Sequence, residues 1–225
     1  MRTAVEVVAR CVAGRTVLPV VRAGGQLAVR RTGPATVHLV ATAFGPLGGD
    51  EVEIRLVVED GAALSVRSVA AAVALPARGE GAPSSVRVRA TVDGVLDLRP
   101  EPTVVAARAH HRAELRAELA EGARLTVVEQ VLLGRTREEP GRWTGTTRIE
   151  RSGLPLLHTT VDLGPGSPSW LPPVAPRAYV STVHLGTAAD VLERAATGRD
   201  VVRLPLPGGW VTTAWGDELH RVAVA

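Results

Sequence analysis

Three short segments of this chain carry carboxylates at backbone positions that prolines or glycines constrain. The first is Phe44-Gly45-Pro46-Leu47-Gly48-Gly49-Asp50. Gly48 and Gly49 allow another element to approach the backbone closely, or else the segment is a tight turn with Asp50 bonding its own backbone. The second is Leu98-Arg99-Pro100-Glu101-Pro102. Pro100 and Pro102 hold one carboxylate on an extended stretch, whether for a function or as a rigid exposed bend. The third is Glu129-Gln130-Val131-Leu132-Leu133-Gly134-Arg135. Unless it serves a function, it is a strand end whose arginine makes a surface ion pair of little energetic value. A hydrolase could use the carboxylates of the Asp50 and Glu101 regions. Glycosidase pairs, however, sit beside aromatic sugar platforms, and this chain has only six aromatic residues.

Other chemistries are poorly supplied. The six histidines are His38, His110, His111, His158, His184 and His220. His110 and His111 are adjacent, so on a strand they face opposite ways and do not share a metal. Cys11 is the single cysteine, which excludes an intrachain disulfide and a cysteine-based zinc site. All 26 basic residues are arginine. Without lysine there is no P-loop, Schiff base or Ser-Lys dyad. The isoelectric point near 10.2 reflects that absence rather than a basic surface, because the net charge is only +3. Arginines interleave with carboxylates, so nucleic-acid binding is not expected. The N-terminus lacks the pattern of a signal peptide, and no apolar run approaches the ~18 residues of a membrane span. The chain reads as cytoplasmic.

The elements that must position these segments read as strands. Val52-Glu53-Ile54-Arg55-Leu56, Val86-Arg87-Val88-Arg89 and Thr147-Arg148-Ile149-Glu150 alternate with a period of two. A turn recurs: Gly61-Ala62-Ala63-Leu64 matches Gly122-Ala123-Arg124-Leu125, 61 residues on, with echoes around Gly24 and Gly94. Each copy reads as strand, glycine, strand, which predicts hairpins and layered antiparallel sheets. Residues 109–119 match that repeat and are expected to be strand. A proline-rich loop spans 164–177, and the spacing predicts a helix over 187–197. The expectation is one mainly β domain over 1–225 with one or two short helices.

In this order and spacing, the segments resemble the urease accessory protein family UreD, also called UreH. The resemblance rests on Gly45, Gly48, Gly49 and Asp50, then Gly61-Ala62, Pro100-Glu101-Pro102, Gly122-Ala123, and Glu129 with Gly134-Arg135. It implies an irregular β-helix and a non-enzymatic maturation scaffold. It implies partners too: UreF-like and UreG-like proteins and apo-urease, with the nickel carried along an internal watery passage. No tightly bound cofactor is implied, only transient nickel. A route must release Ni²⁺, so scattered carboxylates and water suit it better than a tetrahedral cage. Asp50, Glu101 and Glu129 are the candidate passage residues. Gly48, Gly49, Pro100, Pro102, Gly134 and Arg135 are motif or partner-contact residues, and Arg135 is a candidate counter-charge for one of the carboxylates. The segment 69–75, polar in relatives, is nearly apolar here. A β-solenoid binding module with no metal role is the alternative.

Overall fold

Period-two alternation is the dominant pattern of the chain, and it is what the backbone follows. A computed structural model describes residues 1–77, 81–168, 170, 175–186, 197–198 and 200–222. In chain order the first strands are β1 (Arg2–Val12), β2 (Arg15–Gly24), β3 (Leu27–Arg31), β4 (Thr36–Ala41), β5 (Glu51–Val58), β6 (Ala63–Ser68), β7 (Ala72–Ala74), β8 (Ser84–Val92) and β9 (Val95–Arg99). There follow β10 (Thr103–Val105), β11 (His110–Leu119), β12 (Arg124–Leu133), β13 (Arg142–Arg151), β14 (Leu154–Leu163), β15 (Ala178–Leu185), β16 (Thr197–Gly198), β17 (Val201–Leu206) and β18 (Gly209–Gly216). A single helical turn, α1 (Leu219–Val222), is the described helix. The helix expected over 187–197 lies outside the described residues as far as 196. Among the described residues no helix is long and apolar enough to cross a membrane.

The strands form two layers, as the mainly β expectation requires. One sheet has the order β14-β13-β11-β8-β5-β1-β2; the other runs β16-β17-β18-β15-β12-β9-β6-β4-β3. The recurring glycine turns do not close hairpins. Gly61 joins β5 in one sheet to β6 in the other, and Gly122 joins β11 to β12 in the same way. The chain therefore coils, and each coil stacks on the last in parallel. Ile54 lies beside Val88, Val88 beside Leu115, and Leu115 beside Thr147. On the facing sheet Leu64, Leu96 and Leu125 align in the same manner. Antiparallel pairing is kept for the outer strands. These include β1 with β2, β13 with β14, β3 with β4, and the run β12, β15, β18, β17.

Stacking explains why the turn repeats. The 61-residue interval is two coils, and the Gly94 turn is the coil between. Val95 N–H donates to Ala62 O and Arg124 N–H to Gly94 O, each at 2.9 Å, so one corner is bonded to the next. A Cβ at Gly94 would come within 2.2 Å of Ala62 O. The two ends of the first sheet share a device: β1–β2 shifts register between Val8 and Arg10 beside Pro19, and β13–β14 shifts between Ile149 and Glu150 beside Pro155.

Inward positions build two apolar clusters along the strand axis. The larger holds Ile54, Leu56, Leu64, Leu96, Leu115, Leu125, Val127 and Ile149 among others. The smaller is Ala74, Val105, Ala109, Val131, Leu133, Trp143 and Tyr179, with the two aromatic rings 5.3 Å apart. Outside the second sheet, Val222 of α1 covers Ala178, Val180 and Ala214.

Two glycines test the corner geometry. Gly122 has φ +79° and open space at its Cβ position, so Gly122→Ala should cost only the left-handed backbone penalty, about 1 kcal/mol. Gly94→Ala must displace the backbone of the neighbouring corner, with an expected loss of about 2–3 kcal/mol. Urea unfolding of both variants measures the difference, and equal losses would contradict the stacked corners.

Candidate functional site

On β12 the residues Leu125, Val127, Val131 and Leu133 are buried in alternation. Glu129 is in phase with them, so the pleat points its carboxyl into the interior, between the two apolar clusters. Ser181 lies directly beside it on β15, and Thr213 beside Ser181 on β18. On the opposite sheet, Thr147 of β13 faces the same cavity. Glu129, Ser181 and Thr147 line a cavity of about 290 Å³, which Glu101, Gln26 and His111 also line. Its remaining walls are mainly Val, Leu and Ala, including Val69, Ala70, Ala71 and Ala72 of the apolar segment.

Glu129 is half-buried, and the surface it keeps lies on the cavity. Enclosure in the fold pushes its carboxyl from the ordinary 4.5 up to about 7, because a charge there loses its hydration. Among the described residues none donates a hydrogen bond or an ion pair to it. Tyr179 is pushed up to about 12, by burial first and then by the negative charge of Glu129, against opposing hydrogen bonds with Ser181 and Thr213.

Asp50 is buried but does not line the cavity. One carboxylate oxygen pairs with the terminal ammonium of Met1. The other accepts from Gln26 Nε2 at 2.7 Å and from Leu47 N–H at 2.9 Å. Burial works to raise this carboxyl, yet the ammonium and the two further donors outweigh it and hold it below the ordinary value. Asp50 thus reaches the cavity through Gln26. Both readings of its segment hold together: the carboxylate caps its own turn, and a Cβ at Gly48 would meet Ala77 at 2.6 Å. Gly49, at φ +86°, makes the turn.

Glu101 is exposed, in the connection from β9 to β10, and with Pro100 it lines the cavity. Its N–H donates to Ser68 Oγ at 2.8 Å, and Pro102 O accepts from Ala72 N–H at 3.0 Å. The stiff Pro-Glu-Pro segment is thereby fastened to the apolar segment at a rim of the cavity. Gly134 N–H donates to Val105 O at 2.7 Å. Arg135 corrects one expectation: it does not neutralise Asp50, Glu101 or Glu129. Its guanidinium binds both oxygens of Glu138 at 2.8 Å, within a turn that begins as β12 ends. That pairing lowers Glu138 to about 2. Adjacency in the motif puts Arg135 past the end of the strand, outside the interior layer.

His111 is the interior residue that motif reading passed over. The two adjacent histidines do face opposite ways: His111 is 2% exposed and lines the cavity, while His110 lies on the outer face near Thr144. Along β11, His111 is in phase with Ala113, Leu115, Ala117 and Leu119, and that phase is the signal that marks it as interior. Its Nδ1 is 2.9 Å from Ser84 Oγ. Burial, with a smaller contribution from His110, pushes the ring down to about 4, so it is neutral at physiological pH. Among the described residues no three His, Cys, Asp or Glu side chains converge to hold a metal ion.

The raised carboxyl of Glu129 has a thermodynamic consequence. The folded chain holds that proton more tightly than the unfolded chain, so stability falls as pH rises from about 4.5 to about 7. Glu129→Gln should remove that decline. Denaturant unfolding of both proteins across this range should give a difference in stability that grows with pH in favour of the glutamine variant; contributions from Asp50 and Glu138 are common to both and cancel.

The family model described as UreD urease accessory protein matches residues 1–218. A protein named Urease accessory protein UreD 1 from Saccharopolyspora erythraea is 47% identical over 133 residues, 59% of this chain and 52% of its own length. Urease accessory protein UreD from Frankia alni is 40% identical over 81% of this chain and 69% of its own. The Parafrankia protein of that name is 37% identical over 88% and 76%. The match thus spans about half the length of the first relative and more of the others. With the family model matched over residues 1–218 and relatives of 37–47% identity, the chain belongs to the UreD urease accessory protein family.

Proposed function

We propose that this protein is a non-catalytic scaffold for urease maturation that helps deliver nickel to apo-urease, together with UreF-like and UreG-like partners in the cytoplasm. Nickel is cargo in this reading, not a resident cofactor. The observation that carries it is the cavity between the sheets, with Glu101 on its rim and Glu129 inside. Two carboxylates and space for water suit a hydrated divalent cation that must be held weakly and released. Glu129 lacks a cationic partner among the described residues, so a passing cation meets no competing arginine there. A chain without lysine has no P-loop of its own, which leaves nucleotide hydrolysis to a partner.

The test is urease activation in a co-expressed maturation system. Glu101→Gln and Glu129→Gln should each lower activation several-fold, while pull-down of the partners stays normal. Removal of an exposed carboxylate such as Glu101 should change stability by no more than about 0.5 kcal/mol. Normal activation by both variants, with assembly intact, would favour the reading as a β-solenoid binding module without a metal role, to which the mainly apolar walls also lend support.

Weak handling has a second expected outcome. The isolated chain, incubated with Ni²⁺ and passed through gel filtration, should retain well under one nickel per chain by metal analysis. One tightly held ion per chain would overturn the transient role.

A further inference from the structure

The geometry points to His111 as a cavity-facing ligand for the cation, held in place by Ser84. This inference rests on the nickel-delivery reading for the identity of the ion, and it assigns a role to a residue outside the family motifs.

His111 has one ring nitrogen engaged and one free. Nδ1 lies 2.9 Å from Ser84 Oγ, and Ser84 is itself fully buried. No described residue bonds Nε2, yet Nε2 is not among the enclosed unpartnered atoms, which are Trp143 Nε1, Arg151 Nε and Ser167 Oγ. The free nitrogen therefore opens on the cavity that His111 lines. A serine hydroxyl both donates and accepts, so it supports either tautomer. With Nδ1–H donating to Ser84 Oγ, the Nε2 lone pair faces the cavity, the arrangement by which an outer partner orients a metal-bound imidazole. The ring is neutral, as a ligand must be.

Gln26 is set in a parallel way. Asp50 accepts from its Nε2, which turns Oε1 away from Asp50, and Gln26 also lines the cavity. Asp50 and Ser84 thus act from behind the wall, each fixing a side chain that presents a lone pair to the interior.

The chemistry this adds is discrimination. Carboxylate and water alone suit Mg²⁺ or Ca²⁺ as well as nickel, whereas imidazole nitrogen favours the later transition metals. One such nitrogen, completed by water, binds weakly enough to release the ion.

The experiment is Ni²⁺ titration of the full-length ¹⁵N-labelled chain, followed by the long-range proton–nitrogen spectrum of the imidazoles. The His111 signals should broaden at substoichiometric Ni²⁺, ahead of those of exposed His220, and a large excess of Mg²⁺ should not restore them. In Ser84→Ala, with an unchanged backbone spectrum, broadening of His111 should need several-fold more Ni²⁺. Sharp His111 signals after the His220 signal is lost would overturn the assignment. So would an equal Ni²⁺ requirement in Ser84→Ala, which would remove Ser84 as the positioning residue. The two readings fail separately. Reduced activation in Glu129→Gln with unbroadened His111 would sink this site and leave nickel delivery standing. Broadened His111 with normal activation in Glu129→Gln and Glu101→Gln would sink the delivery reading and leave a cation site.

Discussion

In-register parallel stacking is the constraint from which the rest of this molecule follows. When Ile54, Val88, Leu115 and Thr147 occupy one row, the interior is organised in levels across the strands. A polar residue at one inward position then shares its level with the residues beside and opposite it. Glu129 has the short side chain of Ser181 beside it and faces the same cavity as Thr147, which leaves room that a leucine at either position would take. The cavity is bounded mainly by apolar side chains, with Glu129, Ser181 and Thr147 among them. Packing as tight as a protein interior normally reaches would close it.

The same stacking fixes the polar group at one end of the cavity. Asp50 immediately precedes β5, and Ser84 and His111 lie on the next two strands of that sheet, β8 and β11; each buried polar atom in the group has a partner or faces the cavity. Carboxylates enclosed in an interior are costly alone, and buried Asp50 and half-buried Glu129 are treated differently. Asp50 is compensated by an ammonium and two further donors and stays ionised. Glu129 has no such set and is raised toward neutrality. Asp50 lies behind the wall, whereas Glu129 lines the cavity.

Much of this was legible in the sequence, for specific reasons. The alternation of Leu125, Val127, Val131 and Leu133 places Glu129 among core positions without any structure. The Gly61 and Gly122 turns announced a repeat, and 109–119 was read as strand from it. Strand direction was not legible, because strand-glycine-strand describes a hairpin and a coil corner equally well, and period two reports the face of a strand rather than its neighbour. The position of Arg135 was hidden for a related reason. Six residues after Glu129 the chain has left the strand, and Glu138 lies closer along the turn than any interior carboxylate. His111 was lost in the pairing with His110, which drew attention to a shared metal and away from the inward phase of one ring.

The outer strands have a consequence for how such a stack ends. A parallel coil that repeats its own register offers its last strand as a template for another chain, which is the geometry of fibre growth. Here β2 and β14 fold back antiparallel over the two ends of the first sheet, and each brings a proline and a register shift to the rim. Pro19 and Pro155 have no N–H to offer a newcomer, and the local irregularity twists the edge out of register. The solenoid is thereby blunted at both rims of that sheet, and a sequence pattern well suited to propagation is confined to one chain.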